Sequence, residues 1–214
     1  MRSLRTVALP PPVGETIPNS GAVSRNAGSR AVLVTDFSLR VTNTWGCVRK
    51  SSFMNIECKR IASQLASTID GEVWYGHSVL EILTGVTAAQ AGAHPIPGAH
   101  SIWELLSHLE AWVKFSCGAV KGTPIPPWPG MPQEMDWPPI KYTDESSWHQ
   151  TLDSFFASYR KLIDLINSFG DELLGLIVPG RAYSFSRLFQ GIIQHAIYHS
   201  AQIAILKKAS VKEE

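Results

Sequence analysis

From residue 55 onward, apolar positions recur at helical spacing. Ile56, Ile61, Leu65 and Ile69 fall in one segment over 55–70, and apolar residues three to four apart mark the buried stripe of a helix. "GEVWYGHSVLEILTGVT" then reads as a turn and a short helix around 78–84, and the prolines of "AHPIPGAH" (93–100) make a loop. Ser101, with Glu104 three residues on, forms a capping box for "IWELLSHLEAWVKFSCGAV". Residues 121–142 hold seven prolines and two tryptophans, which predicts a long irregular loop; loops of that length are uncommon unless functional. A helix over 143–169 opens at Thr143, with Asp144 and Glu145 in its first turn. "PGRAYSF" turns into a last helix over 184–208, where Lys207 and Lys208 suit the C-terminal dipole. Four long helices with little strand signal predict an all-α chain, an up-down four-helix bundle. There is no internal repeat, no GxGxxG and no Walker loop.

Residues 1–53 break this pattern. They are rich in Pro, Gly, Ser, Asn and Arg, and only 31–42 alternates like a strand. One strand without a partner cannot make a stable sheet. This segment reads as a disordered N-terminal extension, with the folded domain over 54–214 and Met54 as the true start or the start of the folded unit. A transit peptide is the rival reading, since the segment is Arg-rich and poor in acids. The charge division agrees: 1–53 carries a net +5 and 54–214 a net −4, although the whole chain is +1. A net-acidic bundle without a basic helix is not expected to bind nucleic acid. Cys47, Cys58 and Cys117 are odd in number and lack CxxC spacing, which fits a reducing cytoplasm rather than a disulfide framework.

The segment 188–206 carries no formal charge over nineteen residues, about a bilayer's span. Gln190, Gln194, His195, His199, Ser200 and Gln202 lie within it, so a helix buried in protein fits better than a lipid-facing one.

His195 and His199 are four apart and share one helix face. Gly191 lies one turn before them and leaves space; Gln202 lies three residues beyond. His108 sits midway along the helix over 102–120, so if that helix faces the last one, three imidazoles converge. Neutral imidazole is the commonest zinc ligand and also suits nickel, copper or iron. Three protein ligands with a position left open describe a catalytic rather than a structural site. The spacing also suits packed core histidines, so it does not decide alone. "HAIYH" lacks the Glu of a zincin motif, and Glu-x-x-His pairs of di-iron bundles are absent. His77 and His100 read as capping or pocket residues, His94 and His149 as surface.

Three stretches, "GEVWYGHSVLEIL" (71–83), "GAHSIWELLSHLEAW" (98–112) and "GRAYSFSRLFQGIIQHAIYHSAQIAILKK" (180–208), together resemble the DinB/YfiT-type superfamily of four-helix-bundle proteins. The resemblance covers most of 54–214 in order. It implies a divalent metal on His108, His195 and His199, a water or substrate as a further ligand, and a homodimer. Ala201 stands where that family usually has Gly, a change that favours helix.

These readings predict a metal-dependent enzyme acting on a small molecule, a hydrolase being the simplest case. The metal, zinc or nickel, would bring a water or thiol toward neutral pKa. Trp112, Phe115, Trp128, Trp137 and Tyr198 are candidate pocket walls, and Glu104 is the candidate proton carrier, with a helix-cap role as its rival. The alternatives are an S-transferase using a low-molecular-weight thiol, which Arg181 and Arg187 could contact, and a non-catalytic metal-binding stress module. A purely structural bundle with hydrogen-bonded core histidines remains a further alternative.

Overall fold

The computed structural model describes residues 55–127 and 129–210. The expectations for 1–53, for a start at Met54, for Cys47 and for Trp128 lie outside the described residues. Among the described residues the structure is helical: α1 (Ile56–Asp70), α2 (Val79–Leu83), α3 (Ala88–Gly92), α4 (Ile102–Val120), α5 (Gln133–Asp136), α6 (Glu145–Asn167) and α7 (Phe185–Ala209). A 3₁₀ turn, Asp171–Leu173, follows α6, and among the described residues the only pairing of extended residues is an isolated bridge between Ile177 and Ser184.

The four long helices form the bundle. α6 packs on α1 and α4, and α7 packs on the same two. The corners therefore run α1, α6, α4, α7, which sets α1 and α4 across the diagonal. The segment holding α2 and α3 crosses between them, with α2 against α1 and α7 and α3 against α4 and α6. The core is built from each helix's apolar stripe: Leu65 of α1, Leu109 of α4, Phe155 of α6 and Phe189 of α7 are all fully buried. Burying one such side chain stabilises the fold by about 1.5–3 kcal/mol.

Helix starts follow local chemistry. The Ser101 hydroxyl accepts from the Glu104 amide while the Glu104 carboxylate accepts from the Ser101 amide, closing the expected capping box. α6 is capped by Asp144 rather than Thr143, its carboxylate accepting from Ser147. α3 was not expected; Thr87 and Gln90 cap it reciprocally, and Glu145 accepts from the Ala88 amide. Among the described residues of the long loop over 121–142, only α5 is helical. α1 has no side-chain cap of its own. Instead Asp171 accepts from the amides of Glu57 (3.0 Å) and Cys58 (2.8 Å).

Among the described residues no helix is long and apolar enough to cross a membrane. The uncharged stretch of α7 buries Ile192, Ile193, Ala196 and Ile203 in protein. Cys58 and Cys117 are buried free thiols.

Candidate metal centre

α7 contributes His195 and His199, one turn apart, with ring centroids 4.6 Å from each other. α4 contributes His108, whose ring lies 4.9 Å from that of His195 and 5.0 Å from that of His199. One ligand nitrogen from each of the three comes within 4.8 Å of the others. The α4–α7 contact that the sequence left conditional is present, and it brings all three imidazoles together.

Two of the rings are oriented by acceptors. The Nδ1 of His108 donates to the Asp136 carbonyl at 2.7 Å, with an Asp136 carboxylate oxygen 3.2 Å away. The Nδ1 of His199 donates to the Gln202 side-chain oxygen at 2.6 Å. Each Nδ1 thus keeps its proton, and each Nε2 presents a lone pair. The Nε2 atoms of His108 and His195 face each other at 3.0 Å. With the lone pair of His108 turned toward it, His195 either donates its Nε2 proton across that gap or presents a second lone pair with which a cation could be shared. Second acceptors that fix a histidine tautomer in this way are the usual support of metal-ligating imidazoles. The donor set therefore fits a divalent transition metal.

Electrostatics keep the cluster neutral. Burial, then the neighbouring His199 and His108, hold His195 down to about 3 from the ordinary 6.5. Burial also lowers His108 and His199, although Asp136 and Gln202 respectively work the other way. Neutral imidazole is the ligating form.

The proline-rich loop supplies the remaining wall. α5 ends at Asp136, whose carboxylate accepts from the Trp112 indole at 2.8 Å. Trp137 stacks on His108 at 4.0 Å, and His100 stacks on Trp137 at 3.6 Å. The sequence reading missed Asp136, since nothing in a loop carboxylate flanked by Trp and Pro says that it reaches a residue 28 positions earlier.

Glu104 is placed otherwise. Its carboxylate serves the Ser101 amide (2.7 Å) and His94 (3.1 Å), and lies 3.5 Å from His100. Its hydrogen bonds go to the helix cap and to His94, and not to His108, His195 or His199. His77 and His149 are exposed, and His94 is half-exposed beside Glu104.

Two cavities reach the cluster along α7. One, of about 500 Å³, is lined by Trp112, Tyr183, Arg187, Gly191, Gln194 and His195 among others. The other, of about 440 Å³, is lined by His100, Trp137, Tyr198, His199, Gln202 and Ile205 among others. Gly191 leaves the space expected of it: a Cβ there would meet nothing within 4 Å.

Comparison with known families bears on the same residues. The model of the DinB superfamily matches residues 74–203. The chain belongs to the DinB superfamily. The matched span contains the three histidines and Asp136, while α1 precedes it. No curated protein and no solved structure matches the chain. Within this DinB chain, Ala201 is exposed, so the methyl that departs from the family's usual Gly meets solvent.

Proposed function

We propose that this DinB protein holds one divalent transition metal, zinc or nickel, on His108, His195 and His199, and is a metal-dependent enzyme acting on a small molecule. The observation that carries the reading is the convergence of three neutral imidazoles, two of them with Nδ1 bonded to an acceptor. A metal so held leaves coordination positions open and acidifies a bound water or thiol. The protein's own part is to keep the donors neutral, to fix two rings through Asp136 and Gln202, and to wall the site with Trp112 and Trp137. Hydrolysis needs only water and is the first reading.

One observation favours a second. Cavities open at both His195 and His199, which leaves room for two reactants, as thiol transfer requires.

The test is elemental analysis of the untagged protein beside the His195→Ala/His199→Ala double variant. About one metal per chain, lost in the variant, is expected. No metal in either, even after adding zinc or nickel, would leave the histidines as core residues. Turnover screens with ester or amide substrates, with and without a thiol, then separate hydrolase from transferase. A metal-loaded protein inert in both would be a non-catalytic module.

A further inference from the structure

The cavity of about 440 Å³ beside His199 is built differently from its neighbour at His195. The 93–100 loop brings Ile96 and Ala99 to it, through a turn in which the Ala99 amide donates to the Ile96 carbonyl at 3.1 Å and Gly98 takes a φ of +78°. α4 adds Leu105, and α7 adds Tyr198, Ile205 and Leu206. Leu105 and Leu206 are buried, while Ile96, Tyr198 and Ile205 are exposed. One large apolar side chain in water needs no explanation, but three around a concavity that also contains His199 do. No lysine, arginine, aspartate or glutamate lines this cavity, whereas Arg187 lines the other. Glu104 faces His100 at 3.5 Å, but its carboxylate is held at the helix cap. The Gln202 side-chain oxygen is taken by His199. Trp137 completes the wall. His100 and His108 stack on it at 3.6 and 4.0 Å, each with an interplanar angle of 9°. Two rings so close and so parallel cannot share one face, so they cover both, and Trp137 offers a ligand its edge alone. An indole attracts a cation through its face and not its edge.

We infer that this cavity seats the uncharged, hydrocarbon end of the substrate, with the reactive end at the three histidines. An anion would find no lysine or arginine on the wall, and a cation neither a carboxylate nor an open indole face. Either would give up its water without compensation. A hydrocarbon group gains by covering Leu105, Ile205 and Leu206. The volume lies within the range of about 300–1,000 Å³ usual for small-molecule sites. The inference rests on the proposed metal site only for where the reactive end lies.

The test uses the full zinc-loaded chain and calorimetric affinities for three arylpropanohydroxamates. One carries a plain phenyl ring, one a para-carboxylate and one a para-trimethylammonium group. Each affinity is read as a ratio to that of acetohydroxamate, the tailless control, in the same protein. The phenyl tail is expected to bind about tenfold tighter than either charged tail. Ile205→Glu and Ile205→Lys place a charge at an exposed position, which keeps them clear of folding defects. Each should cut the phenyl advantage below about threefold, Glu by favouring trimethylammonium and Lys by favouring carboxylate. Charged tails that bind as tightly as phenyl, or a phenyl advantage kept in both variants, would overturn the seat. Should no metal bind at all, the proposed function fails separately. Phenylpropanamide would then be titrated against the metal-free chain by nuclear magnetic resonance. Amide shifts at Ala99 and Leu206, lost in Ile205→Glu, still support the seat, and their absence overturns it.

Discussion

Gln202 and Asp136 hold their histidines by different means, and the difference is measurable. His199 takes its acceptor from a side chain, whereas His108 takes it mainly from the Asp136 backbone carbonyl. Gln202→Leu removes that acceptor outright and should weaken metal binding by about 10–100-fold. Asp136→Ala keeps the carbonyl and should cost less, near the lower end of about tenfold. Chelator competition gives both values; a larger loss for Asp136→Ala would contradict the assignment. The buried imidazoles also set the acid response of the metal-free protein. His195 titrates near 6.5 when unfolded and is held near 3 when folded, and His108 and His199 shift in the same direction. As pH falls below about 6.5, the unfolded chain takes up protons that the folded chain refuses, so stability is full above that pH and declines on acidification. Urea midpoints of chelator-treated protein should drop between about pH 7.5 and 5, before lowered carboxylates such as Asp171 titrate, and His195→Leu should flatten the slope. A flat wild-type midpoint over that window would count against the buried neutral cluster.

At the scale of elements, two joints carry more than their length suggests. α1 borrows its cap from Asp171, more than a hundred residues away. Asp171→Ala should speed amide exchange at Glu57 and Cys58 and lower the melting temperature, with the exchange in α4 unchanged. The second joint is the turn at Gly180. Its φ of +76° is a region that side chains rarely adopt, and a Cβ there would lie 2.6 Å from the Ile125 carbonyl. Ile125 donates back to Pro179 at 3.0 Å, tying the start of the proline-rich loop to the turn before α7. Gly180→Ala should therefore destabilise the fold by at least about 1–2 kcal/mol in urea unfolding. It should also disturb Arg181, the next residue.

For the molecule as a whole, the bundle supplies the three histidines and the loop supplies their setting. Replacing 131–139 by a Gly/Ser linker should leave helical circular dichroism nearly intact and weaken metal binding by about 10–100-fold. Equal affinity in that variant would show the loop to be a bystander. This division also explains what the sequence could reveal. Periodicity located α1, α4, α6 and α7 because each buries one stripe, and the His195–His199 spacing displayed itself because both sit on one helix. His108 could be joined to them only on the condition that α4 and α7 meet. Short helices such as α3 and α5 have too few residues to show a period. Asp136 on His108 and Asp171 on α1 depend on contacts between distant positions, which carry no local signature. Glu104 shows the opposite hazard: one turn from His108 in sequence, its carboxylate is engaged at the helix cap.

Trp137 lies flat against His108, and the Trp112 ring stands 6.0 Å from that of His195. The centre therefore carries its own optical gauge. A filled-shell ion such as zinc would leave indole emission nearly intact, whereas nickel or copper, with open d shells, would quench it at this range. Loading could be followed, and the two kinds of ion told apart, in a cuvette without any added dye.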